Sequence, residues 1–157
     1  MSRQARKGPL VAIVDNSIDP AVYKPVKHWA EHLGVPFASF RASEGQLPDL
    51  DNRLSHLILT GSEASILERE AWVHAEIEFV RAALDRGLPM LGSCYGHQLL
   101  CLVLCGPKSV RRSSRPEIGW HPITIHEKGG ILGDGSEVFA FSSHFDEVID
   151  LDERFLV

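Results

Sequence analysis

The chain lacks any apolar run approaching the roughly 20 residues that a membrane-spanning helix needs. Its start carries Arg3, Arg6 and Lys7 but no apolar signal region, so no targeting segment is expected. A cytoplasmic setting follows as the expectation, with no membrane contact. Cysteine is scarce: three residues, an odd count with no export signal, do not make a disulfide framework. Cys101 and Cys105 lie one helical turn apart, yet no histidine has ligand spacing to them or to Cys94. Leu99, Leu100, Val103 and Leu104 surround them, so core packing is expected rather than a metal, and no cofactor is implied. Positive charge is in short supply, with 16 Lys and Arg against 21 Asp and Glu and a net charge of −5. That balance argues against nucleic acid or an anionic membrane as a general partner. Internal repeats, low-complexity tracts and linkers are missing too. The 157 residues, 44% hydrophobic and 24% charged, are expected to form one domain, 1–157, with a real core.

What stands out is Gly92-Ser93-Cys94-Tyr95-Gly96-His97-Gln98. It follows the apolar run Leu88-Pro89-Met90-Leu91 and precedes Leu99-Leu100-Cys101-Leu102-Val103-Leu104. This reads as a buried strand, a tight turn and a buried helix. Such a turn lifts its middle side chain above a sheet on a strained corner, and glycines at 92 and 96 leave room where a Cβ would clash. It is the cysteine version of a nucleophile elbow. The helix that follows aims its N–H groups and positive dipole end at the sulfur, which favours thiolate. A free cysteine in an ordinary βα turn is the plainer alternative. The flanking glycines, the strand and the apolar helix together weigh for the reactive one.

Strand and helix alternate along the first two thirds of the chain. Leu10 to Val14 is an apolar strand ending in Asp15-Asn16. Val22, Val26, Trp29 and Leu33 step by four, three and four, the face of a helix that Gly34 closes. Pro36 to Phe40 is a second strand, Gln46 to Arg53 a polar loop, and Leu57 to Leu59 a third strand leading into Thr60-Gly61-Ser62. Val73, Ile77, Val80 and Leu84 repeat the helical step before Gly87 and Pro89. Short apolar strands between amphipathic helices imply a parallel sheet covered on both faces. Ligands bind such sheets at the carboxyl ends of the strands, where Asp15, Gly61-Ser62 and Cys94 all fall. Beyond Gly106, Ile123 to Ile125, Val138 to Phe141 and Phe155 to Val157 are expected as strands.

Four segments, in order, resemble one family. Gly92 to Leu100 is similar to a Gly-x-Cys-x-Gly-x-Gln-Leu signature, and Leu59-Thr60-Gly61-Ser62-Glu63-Ala64-Ser65 to the loop that completes its oxyanion hole. Arg115-Pro116-Glu117-Ile118-Gly119-Trp120 resembles a Glu-Ile-Gly-Trp segment, and Ser143-His144-Phe145-Asp146-Glu147-Val148 a Ser-His-x-Asp-x-Val loop. The family is the class I glutamine amidotransferases, in particular the stand-alone relatives of the GMP synthase amidotransferase domain. The resemblance implies a three-layer α/β sandwich around a mainly parallel sheet, of flavodoxin-like type. It implies Cys94 as nucleophile on the side-chain amide of L-glutamine, with the backbone of Tyr95 and Ser62 as oxyanion donors. The family loop usually has a second glycine where this chain has Ser62. Gly61, Gln98, Ser143, Phe145 and Asp146 match positions that hold glutamine, the last three largely through backbone groups. His144 is implied as a loop-structuring residue rather than the base. The ammonia released would go to a synthetase subunit, domain or other acceptor.

One family segment has no counterpart here. The base and its orienting acid come from a His-Pro-Glu segment beyond the Ser-His-x-Asp loop, and the sequence reaches Phe155-Leu156-Val157 without it. The fold is therefore expected to lack its C-terminal part and the chain to turn over little glutamine. Two alternatives stand beside the amidotransferase: a non-catalytic or regulatory relative that keeps the glutamine pocket, and a related cysteine hydrolase of peptidase-like or γ-glutamyl-cleaving type.

Overall fold

A computed structural model describes residues 9–125, 128–130, 133–134, 137–153 and 155. Four parallel strands form the sheet: β1 (Leu10–Asp15), β2 (Phe37–Arg41), β3 (Leu54–Leu59) and β4 (Met90–Gly92), in the order β2-β1-β3-β4. The chain runs outward from β1 to β2, then crosses back to place β3 on the other side of β1. The carboxyl ends of β1 and β3 thus flank the point where strand order reverses, the place such sheets bind ligands.

The pleat divides β1 between two cores. Val11 and Ile13, with Ile58 of β3, meet Val26, Trp29 and Leu33 on one face. Ala12 and Val14, with Leu57 and Leu59, meet Val73, Val80, Ala83, Leu99 and Leu102 on the other. The first group belongs to α1 (Pro25–Ala30) and the turn after it, the second to α2 (Ala71–Asp85) and α3 (Tyr95–Cys105). Helices on both faces of a parallel sheet make the expected three-layer α/β fold. The first helix is shorter than its apolar step predicts: it starts at Pro25, and Val22 lies before it, 76% exposed. Proline suits the first helical position and disfavours helix in the residue preceding it, which sets the start. Among the described residues no helix is long and apolar enough to cross a membrane.

Past α3 the chain leaves the sheet. β5 (Val110–Thr124) and β8 (Glu137–Val148) form a long antiparallel ribbon, with β6 (Lys128–Gly130) and β7 (Gly133–Asp134) paired between them in sequence. Both long strands exceed the expected stretches, and Ser143 to Val148 is strand rather than loop. The polar run Arg111 to Glu117 hides β5, because a ribbon exposed on both faces shows no apolar alternation. Trp120 stands opposite Phe141 with ring centroids 5.8 Å apart, and both rings are largely exposed. Ile125 is buried but follows β5 rather than forming a strand. Phe155 is not in a strand, and Leu156, Val157, His126 and the basic start lie outside the described residues.

Candidate active site

Cys94 occupies the corner between β4 and α3 at φ 52°, ψ −111°, a left-handed conformation that a residue with a Cβ rarely adopts. Backbone contacts lock the corner. Ser93 N–H donates to Leu59 O over 3.0 Å, Gly96 N–H to Thr60 O over 3.1 Å, and Gln98 N–H to Cys94 O over 3.1 Å. Neither flanking glycine has room for a side chain. A Cβ on Gly92 would sit 2.5 Å from Gly96 O, and one on Gly96 would run into the Leu59 carbonyl. Strain at the corner residue, held by packing on both sides, is the geometry of an elbow.

Two loops converge on the sulfur. The backbone N–H groups of Tyr95 and Ser62 both reach it, and each favours the thiolate. Gly61 lies so close that a Cβ there would stand 3.4 Å from Cys94 Cβ and 2.8 Å from the Tyr23 hydroxyl. Burial nonetheless outweighs the two donors and pushes the Cys94 thiol up from its ordinary value. The N–H groups at the helix N-terminus favour the thiolate as expected, but the desolvation cost of the charge at the foot of a cleft exceeds what they return.

The cleft above the sulfur encloses about 470 Å³. Cys94, His97 and Gln98 line one side, and His144, Asp146 and Glu147 of β8 line another, with Arg111, Arg115 and Glu117 at the ribbon's inner end. Gln98 is buried and donates from Nε2 to Asp146 O over 3.0 Å, so it ties α3 to β8 rather than standing on a helix surface. The Asp146 carboxylate is also engaged: Ser65 Oγ donates to it over 2.5 Å and Arg112 pairs with it at 3.0 Å. Ser143 and Phe145 alternate with His144 and Asp146 along the strand; both are exposed and neither lines the cleft.

His97 lines the same cleft as His144; its position three residues past Cys94 predicts that it aims off the sulfur's open side. Burial and the neighbouring His144 hold its imidazole below the usual histidine range. Tyr23 is a second residue that the sequence does not signal. It closes a turn from Asp19, and burial, then Cys94, Glu63 and Asp15, push its phenol up. Cys101 is fully buried and its thiol is pushed up to about 11 by burial and by Cys105. Cys105 instead approaches Asp152 Oδ2 at 3.5 Å.

A parallel sheet covered by helices on both faces, with a strained cysteine at its carboxyl edge, defines the chain as an α/β protein. The profile of the family "Glutamine amidotransferase class-I" matches residues 18–157, and the chain belongs to that family. It is 35% identical over 116 residues to the glutamine-hydrolyzing GMP synthase of Aeropyrum pernix, covering 73% of this chain and 20% of that protein. It is 40% identical over 102 residues to one of the subunits of the glutamine-hydrolyzing GMP synthase of Sulfurisphaera tokodaii, covering 64% and 52%. Gamma-glutamyl peptidase 4 of Arabidopsis thaliana is 29% identical over 130 residues, covering 77% and 51%. These matches thus take in from a fifth to about half of the relatives' own length. Among solved structures, a glutamine amidotransferase from Thermotoga maritima superposes with a TM-score of 0.73 at 21% identity, over 96% of this chain and 65% of that one. A second, from Methylobacillus flagellatus, gives 0.69 at 24% identity, over 91% and 57%. The fold is therefore the flavodoxin-like fold of class I amidotransferases.

Proposed function

We propose that the cleft takes the side-chain amide of glutamine and transfers its γ-glutamyl group to Cys94. The observation that supports this reading is the pair of backbone donors, Tyr95 and Ser62, directed at one strained cysteine. The Cys94 thiolate adds to the amide carbon, and the carbonyl oxygen becomes an oxyanion that accepts from both N–H groups. Collapse breaks the C–N bond and expels ammonia, which carries off one added proton and leaves a γ-glutamyl thioester. Water then attacks the thioester, releasing glutamate and restoring the thiol. Gln98 orients the bound glutamine beside the β8 backbone near Asp146, and Gly61 keeps the oxyanion loop close to the sulfur.

Proton transfer is the weak link. A thiol pushed up by burial gives little thiolate at neutral pH. His97 and His144 are the imidazoles that share the cleft with Cys94. Neither has an orienting carboxylate with a hydrogen bond to its ring among the described residues. A thiol raised in this way depends on a base, whose help contributes about a hundred- to ten-thousand-fold. Ammonia would pass to a synthetase subunit, domain or other acceptor, as the names of the GMP synthase relatives suggest. A second reading, cleavage of γ-glutamyl peptides by the same thioester chemistry, is favoured by the likeness to the Arabidopsis peptidase.

Trapping the thioester tests the reading. After incubation with glutamine and acid quenching, the peptide containing Cys94 should carry a γ-glutamyl group that hydroxylamine removes. Acylation of Cys101 or Cys105 in its place, or of no cysteine, would overturn it.

A further inference from the structure

Behind the elbow, in the seam between α2 and α3, lies a carboxyl group that the proposed chemistry does not use. Glu76 is fully buried, and neither of its oxygens has a hydrogen-bond partner among the described residues. Asn16 Oδ1 and the Tyr95 hydroxyl, also buried, have none either. These orphaned groups are neighbours: the Asn16 amide approaches the Glu76 carboxyl, and the Tyr95 phenol feels its charge. Among the described residues no Lys, Arg or His acts on Glu76; Asn16 does, and Glu70 reaches only as far as Tyr95. Burial pushes the Glu76 carboxyl up to about 8 and outweighs the Asn16 amide, whose bond favours the ionised form.

Both members of this cluster lead to the oxyanion donors. Tyr95 carries one of them on its own backbone. Asn16 grips Thr60, its N–H donating to Thr60 Oγ1 over 2.9 Å and its Nδ2 to Thr60 O over 3.2 Å. Thr60 directly precedes Gly61-Ser62, and its carbonyl also receives Gly96 N–H from the elbow. A protonated carboxyl offers one donor and spare acceptor capacity, which suits an amide oxygen on one side and a phenol O–H on the other. An ionised carboxylate without a cation would instead draw in water and open the cluster.

We propose that Glu76 is a positioning residue that works as a neutral carboxylic acid, joining Asn16 to Tyr95 and thereby fixing the Tyr95 and Ser62 donors on the oxyanion. The proposal rests on the reading of Cys94 as an acylated nucleophile. It concerns only reactions that develop an oxyanion, which gives a direct test. Acylation of Cys94 by p-nitrophenyl acetate passes through an oxyanion, whereas alkylation by iodoacetamide does not. Both need the thiolate, so the ratio of the two rates, read on the Cys94 peptide, cancels the titration of Cys94 itself.

Between about pH 6 and about pH 9.5, the ratio should hold level and then fall several-fold as Glu76 ionises. In the Glu76→Gln variant, whose amide keeps the shape and the neutrality, it should stay level throughout. A level ratio in the unsubstituted chain, or the same fall in Glu76→Gln, would overturn the proposal. So would a Glu76→Gln chain that fails to fold or keeps a low ratio at every pH. Alkylation of Cys94 with no acylation at any pH would instead remove the nucleophile reading, and the role of Glu76 with it; neither reagent requires glutamine.

Discussion

The side-chain amide of Gln98 donates to the main-chain carbonyl of Asp146 over 3.0 Å, joining the elbow helix to the ribbon across the floor of the cleft. The bond has two consequences, one for stability and one for binding. Replacing Gln98 by Ala strands a buried carbonyl and should lower stability by about 1–2 kcal/mol. It should also weaken glutamine binding, because β8 loses its tie to α3 beside Cys94. Urea midpoints and a glutamine titration check the two separately. Unchanged affinity alongside the stability loss would leave Gln98 a purely structural residue.

Cys94 should alkylate with a pH midpoint above the value of about 8.5 usual for a free cysteine, since burial raises its thiol. A profile followed by mass spectrometry on the three cysteine peptides gives the midpoint directly. Cys101, buried and pushed up to about 11, should react last. A Cys94 midpoint near neutrality would mean that the two backbone donors outweigh burial after all.

The elbow glycines separate packing from sequence. Gly96→Ala places a methyl against the Leu59 backbone and should destabilise the chain by roughly 2 kcal/mol or more. Gly34→Ala meets nothing within 4 Å and should stay within about 0.5 kcal/mol. Thermal unfolding of the two variants decides it, and equal effects would contradict the described corner.

The buried Glu76 makes stability depend on pH. Its carboxyl is pushed up from 4.5 to about 8 in the folded chain, so between those values the folded state keeps a proton that the unfolded chain has released. Its contribution is complete below about pH 4.5 and is lost as pH rises toward 8, with a slope of at most about 1.4 kcal/mol per pH unit. Glu76→Gln should remove that slope. Urea midpoints at several pH values should therefore diverge between the two chains as pH rises. Parallel curves would show that Glu76 is not held protonated.

Much of this architecture is legible in the sequence because each buried element carries its own period. The four-three-four step from Val73 to Leu84 reads directly as α2, and Leu10 to Val14 as β1. The elbow is legible for a different reason: glycines at 92 and 96 are placed where backbone must touch backbone. The ribbon is not legible in the same way. β5 has an exposed or half-buried residue at nearly every position after Val110, so neither face leaves an apolar signature. Long-range neighbours escape as well. His97 enters the cleft, and Tyr23 reaches Gly61 from a turn that has no chemical motif. Glu76 looks like a solvent-facing helix residue, yet it is fully buried.

Glutamate release from glutamine tests the proposed chemistry most directly. The chain, its Cys94→Ala variant and its His97→Ala and His144→Ala variants are compared by following glutamate over time. Acyl transfer at Cys94, slow because burial raises the thiol, predicts release that Cys94→Ala abolishes and that each histidine variant alters only modestly. Release that persists in Cys94→Ala would contradict the assignment of the nucleophile, and fast release abolished by His144→Ala would make His144 the base.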